Sequence, residues 1–371
     1  MALMEENFET QEYKINLGPQ HPSTHGVFRA VLTLNGERIV KCENHVGYLH
    51  RGMEKLAEGR TYAQFAALTP RLDYLAGALN NWGYVVAVEK LMGLEIPERA
   101  EYLRVIIGEL QRIASHLVAI SSTMIDLGAT TGWMYGFTAR ENVLDLIEMV
   151  TGSRMTPNYY TIGGVMDDLP ENFIEVLEAK LIEVKERVED IASMMLGNEI
   201  FIARAKGVGA ITKEQIEKYC ITGPNVRAAG IPYDLRKMAP YSIYNKFDFK
   251  VPVLENGDSF DRFHIRILEI RESIKIVEQA VASLPEGPIT TKVSRIIKPP
   301  VGDAYGQIES AKGILGFYVV SDGSTKPYRL HVHSPSFVNI GVFPEIAVGQ
   351  TLQDFIATLA SFDICLGEID R

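Results

Sequence analysis

The sequence predicts an α+β protein, with a central bundle of long helices between a β-hairpin sheet and a mixed α/β segment. Three observations carry this expectation. Near the start, Phe28, Ala30, Leu32 and Leu34 alternate with Arg29, Val31 and Thr33 before Asn35-Gly36 interrupts and Arg38 to Val40 continues. In the middle, apolar residues recur at steps of three and four over long stretches. From about residue 286, Gly and Pro return together with a second pair of extended runs.

The first pattern is a period of two broken by an Asn-Gly pair, the strongest short-range signal for a hairpin. Just before it, residues 18–26 combine glycines, prolines and histidines, which exclude regular structure and make a shaped connection. The helical region is expected from residue 53 to residue 285. Its first stripe follows Pro97, which suits a first helical turn, with Leu103, Ile106, Ile107, Leu110, Ile113, Leu117 and Ile120 on one face. A second carries Ile174, Leu177, Leu181, Val184, Val188, Ile191 and Met195, and a third Phe263, Ile267, Ile270, Ile274, Val277, Val281 and Leu284. Stripes of this length belong to core faces of long helices packed nearly parallel or antiparallel, and carry no chemistry. Towards the end, Leu315 to Val320 and Tyr328 to His333 flank a turn at Asp322-Gly323-Ser324, and a last helix is expected from Thr351 to Ala360. The expected regions are 1–52 (β, with the His-containing loop), 53–285 (helical) and 286–371 (mixed).

Composition excludes several function classes. A net charge of −10 opposes a general nucleic-acid binder, which needs clustered Lys and Arg to neutralise phosphate. Cys42, Cys220 and Cys365 are the only cysteines, too few for a disulfide framework or for a thiolate-held cluster, which needs four. No stretch of about 18 apolar residues is present, so no membrane span is expected, and Met1 to Glu6 lack the basic start and apolar core of a signal peptide. Gly163-Gly164 and Gly207-x-Gly209 lack the strand-then-helix setting of a dinucleotide fingerprint. No Gly-x-Ser-x-Gly elbow points to hydrolysis.

The residues that could carry chemistry are few. His21 and His25 lie four apart, but Pro22 opposes the helix that would make them a metal pair. On composition, both a hydrogen-bonding role in a glycine-flanked loop and a structural one stay open. Tyr74, in Arg71-Leu72-Asp73-Tyr74, joins an apolar ring to a proton-bearing tip, which suits a greasy ligand with one polar end, or simply a core position. Asp126 ends an apolar stretch, where it either caps a helix turn or pairs with a cation. His116 is expected on a helix surface or between helices, and His331 and His333 as structural residues.

Several stretches, in order and over essentially the whole chain, resemble one family. They are Gly18 to Gly26, Gly47-Tyr48-Leu49-His50-Arg51-Gly52-Met53-Glu54-Lys55, Thr69-Pro70-Arg71-Leu72-Asp73-Tyr74, Ala87-Val88-Glu89-Lys90-Leu91 and Asp126-Leu127-Gly128-Ala129. Arg140-Glu141, Val320-Ser321-Asp322-Gly323 and the terminal Gly-Glu-Ile-Asp-Arg complete the set. The family is the quinone-site D subunit of NADH–quinone oxidoreductase, respiratory complex I, whose fold is like that of the nickel–iron hydrogenase large subunit.

The resemblance implies a peripheral-arm subunit of a proton-translocating oxidoreductase, active only in the assembled complex on the cytoplasmic side of the cell membrane. It implies that His25 and Tyr74 hydrogen-bond a quinone headgroup, with Asp126 partnering His25. Arg51 and Arg71 would lie near a 4Fe–4S cluster carried by a small partner subunit. No cofactor or metal is then expected on this chain itself; quinone is its substrate, and its partners are other peripheral-arm and membrane-arm subunits.

Two departures stand out. Cys365 falls where hydrogenases have the first cysteine of their C-terminal metal-binding pair, but Glu368 replaces the second and the N-terminal pair is missing. Where many family members carry a His after Arg-Met, Arg154-Met155 is followed by Thr156. Two other readings follow from the same residues: a hydrogenase-type large subunit using another acceptor, and a non-catalytic scaffold homologue. The cysteine count opposes the first, and the joint presence of His25, Tyr74 and Asp126 opposes the second.

Overall fold

The computed structural model describes residues 12–24 and 26–371. Strands β1 (Glu12–Leu17), β2 (Arg29–Asn35) and β3 (Arg38–His45) form an antiparallel sheet in the order β1-β2-β3. Its hairpin pairs Asn35 with Arg38, so the two loop residues are Gly36 and Glu37. The turn thus sits one residue beyond the Asn-Gly expected from the sequence, with Gly36 taking the left-handed conformation at φ 61°, which costs glycine least. The preceding loop is less irregular than expected. Gln20–His21 pairs with Gly26–Val27, and Pro22–Thr24 form a 3-10 turn between them.

Five long helices build the centre: α1 (Gly77–Met92), α2 (Glu98–Asp126), α3 (Thr130–Thr151), α4 (Phe173–Leu196) and α5 (Ser259–Ala282). The three apolar stripes fall on α2, α4 and α5. At 29 residues, α2 is about 43 Å long, and it packs against α3, α5 and α1. Helix α1 has no stripe because it is buried on nearly every side, and a helix that is apolar all round has no face to reveal. Its Gly83 approaches Phe317, and Gly108 of α2 lets the Trp82 ring come within 2.9 Å of where a Cβ would stand.

Beyond the helices, β4 (Gly302–Ser310), β5 (Gly313–Ser321) and β6 (Arg329–His333) make a second antiparallel sheet in the order β6-β5-β4. The β5–β6 pairing is the hairpin expected from sequence; β4 was not foreseen. Because Ser310 pairs with Gly313, Ala311 and Lys312 form a two-residue tip, and both are buried. Helix α6 (Leu352–Phe362) begins at Thr351 with a capping box to Asp354, and α7 (Leu366–Asp370) ends the chain. Residues of α6 and α7 share one apolar cluster with the first sheet, Phe355, Leu359 and Leu366 packing with Phe28, Leu32 and Ile39. The first sheet and the last two helices are therefore joined in space.

Buried ionic groups fasten the helices. Arg104 of α2 meets Glu89 of α1 at 2.6 Å and 2.9 Å. Further along α2, His116 contacts Glu269 of α5 at 2.9 Å. Of the two placements expected for His116, the structure adopts the interhelical one, fully buried. Arg227 then bridges Glu269 at 2.7 Å and Glu309 at 2.8 Å. Among the described residues, no helix is long and apolar enough to cross a membrane.

Candidate functional site

The segment Thr69–Arg71, a short 3-10 turn with Pro70 at its start, delivers Leu72, Asp73 and Tyr74 to the place where α7 begins. Arg51 fixes this junction from outside. Its Nη2 donates to the Arg71 carbonyl at 2.9 Å and to the Gly367 carbonyl at 3.0 Å. Both arginine side chains are exposed; the two residues meet through the Arg71 backbone, while the Arg71 guanidinium donates to the Ala67 carbonyl at 2.6 Å. Gly367 has no alternative here, since an added Cβ would stand 2.8 Å from the Leu72 carbonyl and 3.3 Å from the Tyr74 ring.

Tyr74 is half-buried and its hydroxyl meets the Cys365 thiol. Burial is the main reason its pKa lies far above that of an ordinary phenol, with Cys365 and Asp73 adding to the effect and Lys312 opposing it. Cys365 itself is buried, its Sγ 3.8 Å from the Leu72 carbonyl, and burial keeps the thiol protonated. The tip residue Lys312 reaches into the same space. Its Nζ lies 3.2 Å from Asp73, 3.5 Å from Asp363 and 3.2 Å from Ser115 Oγ. Burial works against its charge, but Asp363 and Asp73 more than compensate, so the ammonium is retained.

Tyr74 opens onto a cavity of about 180 Å³ lined by Leu75, Val118, Ser122, Leu359, Ala360, Asp363 and Ile364. The walls are mostly aliphatic, with polar groups only from Tyr74, Ser122 and Asp363, the usual character of a site for a small organic ring. Larger surface concavities lie elsewhere, one of about 420 Å³ around Glu54 and Arg371 and one of about 550 Å³ between α4 and α5. Val118 and Ser122 sit four residues apart on α2. Asp126 is the next position on that face, about 6 Å further along the axis, at the partly exposed end of the helix.

His25 lies outside the described residues. Its neighbours are anchored: Thr24 is buried, with Oγ1 2.7 Å from the His21 carbonyl and 2.8 Å from that of Gly26. The 3-10 turn packs on α6, and Leu366 of α7 fills the space a Gly26 side chain would need. His21 is exposed and accepts the Ser23 amide at 3.2 Å.

A nickel–iron centre does not fit these residues. Cys365 offers one buried, protonated thiol, and the Lys312 ammonium already sits against Asp73 and Asp363.

The chain matches the family described as the 49 kDa subunit of respiratory-chain NADH dehydrogenase, over residues 126–300 and 291–371. It is 60% identical to the D subunit of NADH-quinone oxidoreductase from Clostridium beijerinckii, across 98% of both chains. Against the corresponding D subunit from Carboxydothermus hydrogenoformans it is 56% identical, over 98% of this chain and 99% of the other. The chain belongs to the 49 kDa subunit family. It is thus a member of a family of oxidoreductase-complex subunits, and its helical centre flanked by small sheets is the hydrogenase-like α+β architecture expected for them.

For this 49 kDa family member, sequence reasoning missed Lys312, Asp73 as its partner, and Ser115. The alternation in Ala304 to Ser310 was a usable signal for β4, but a buried hairpin tip runs against the rule that connections lie on the surface.

Proposed function

We propose that this chain forms the headgroup site at which a quinone is reduced to quinol. Tyr74 donates one of the protons, and electrons arrive from a 4Fe–4S cluster held by a small partner subunit. The observation that carries this reading is Tyr74 in the wall of a ring-sized, mostly aliphatic cavity, its hydroxyl backed by Cys365 and the nearby Lys312–Asp73 pair. The names of the relatives support the choice of substrate.

Reduction of a quinone takes two electrons and two protons. A buried phenol with a raised pKa releases its proton only to a strongly basic oxygen, so protonation follows electron arrival. We assign the second carbonyl to His25, and to Asp126 the task of fixing its tautomer and favouring its charged form. Arg51 and Arg71, exposed beside Gly367, face the partner subunit and its cluster. The assembly is a proton-translocating complex with further peripheral-arm and membrane-arm subunits, and this chain lies on the cytoplasmic side of the cell membrane. A hydrogenase-type activity is disfavoured by the Lys312 ammonium and the single thiol.

The test is Tyr74→Phe in the assembled complex. Quinone reductase activity should fall by on the order of 10²-fold or more, while EPR shows the partner cluster still reduced. Unchanged quinone turnover would overturn the reading.

A further inference from the structure

Three carboxylates lie in the buried space behind Tyr74, but its cations reach only two of them. Asp73 has Lys312 at 3.2 Å; Asp363 has Lys312 at 3.5 Å and Arg266 Nε at 3.9 Å. Glu368, fully buried, has no cation within 4 Å among the described residues. Its Oε2 accepts the Ser336 amide at 3.3 Å, and its Oε1 meets no hydrogen-bonding group among the described residues. An ionised carboxylate in such a place costs far more than a protonated one.

From these positions we propose that Glu368 is a proton store for Tyr74, a buried carboxylic acid that refills the phenol through Cys365 after each quinone is reduced. The inference rests on the quinone-site reading above. Cys365 Sγ hydrogen-bonds Tyr74 on one side and the Glu368 backbone amide on the other, so it stands between the phenol and the residue that carries the carboxyl, whose charge it feels.

The proton account closes. Once two electrons have reached the quinone, the Tyr74 O–H bond breaks and an O–H bond forms on the quinone oxygen, leaving a phenolate. The Cys365 S–H proton passes to the phenolate, and the Glu368 proton passes to the sulfur. Glu368 is left as a carboxylate, which takes a proton from solvent before the next turnover.

The surroundings agree with this role. Asp73 faces Glu368 from the segment before α1, Lys312 from the β4–β5 tip and Cys365 from the start of its own helix, while Arg51 bonds the Gly367 carbonyl outside. Burial, and then Asp73, raise the Glu368 carboxyl well above the ordinary range, and the Ser336 hydrogen bond and Lys312 only partly oppose them. The store is therefore full at neutral pH and empties as pH rises.

The experiment compares Glu368→Gln, Glu368→Asp and Tyr74→Phe in the assembled complex, measuring quinone reduction against pH and partner-cluster reduction by EPR. Gln keeps the shape and the acceptor for Ser336, so a purely structural Glu368 would leave the pH profile unmoved. With the store real, the unmodified complex slows on the alkaline side. Glu368→Gln should then run on the order of tenfold slower at neutral pH, short of the 10²–10⁴ of a direct donor, and lose that alkaline decline. Glu368→Asp, which still carries a proton, should keep a decline at a shifted pH. A Glu368→Gln complex with unaltered rate and profile overturns the inference, as does a Glu368→Asp decline that stays in place. If Tyr74→Phe is impaired but Glu368→Gln is not, only the store falls; if Tyr74→Phe is unimpaired, the quinone-site reading falls with it.

Discussion

Two groups of buried charges lie side by side in this molecule, and they are built differently. In the network of Glu109, Arg112, Arg227, Asp234, Arg236, Glu269 and Glu309, every carboxylate has a guanidinium within 3.2 Å. Burial works against the charge of Glu109 and Glu269, yet Arg112 and Arg227 pull their pKa values below the ordinary range and hold them ionised. Glu309, which shares Arg227, is the exception, raised by burial and by Asp234. Behind Tyr74 the cations are fewer, and Glu368 has none in contact among the described residues. A matched network fixes helices; a carboxyl left without a cation can carry a proton.

The comparison breaks most visibly at Arg227. Replacing it with Met strands Glu269 and Glu309 without their guanidinium, and breaking such a buried pair costs about 3–5 kcal/mol. We expect loss of the subunit from the purified complex and a lower unfolding midpoint, unlike the smaller, activity-only effect of Glu368→Gln. Equal destabilisation by both substitutions would erase the difference between the two groups.

A milder probe sharpens the other side. In Gly367→Ala the new methyl presses on the Leu72 carbonyl and the Tyr74 ring, displacing the phenol without changing any charge. Turnover should drop on the order of 10- to 100-fold, the cost of a small misplacement of a reacting group, with the complex still assembled. Native quinone kinetics in that variant would show that Tyr74 tolerates movement.

The smallest effect is expected outside both groups, at Thr156. Threonine does not titrate, so Thr156→Ala should leave any pH dependence of the partner cluster potential as it was. Redox-titrated EPR of the complex checks this, and a lost pH dependence would show that the loop acts on the cluster by another route.

What the sequence made legible follows from where information is local. The stripes on α2, α4 and α5 were readable because each helix buries one face, whereas α1, buried all round, had no periodicity to offer. Arg51, Arg71, Tyr74 and Asp126 stand in motifs that the sequence displays, but the residues packed around them are not visible there. Lys312 reaches Asp73 across 239 positions of sequence (312 minus 73), and nothing near Lys312 signals that a hairpin tip will be driven into the interior. Glu368 was visible as a replaced cysteine; its lack of a cation appears only when Asp73, Lys312 and Ser336 are placed around it.

Lys312 has one more consequence. Its positive charge is covalently attached to the fold. It needs no insertion machinery, cannot be stripped by a chelator and cannot be exchanged for the wrong ion. A site whose central cation is encoded in the gene keeps its electrostatics whatever the supply of metals in the cell. The chain therefore carries this buried charge as soon as it folds.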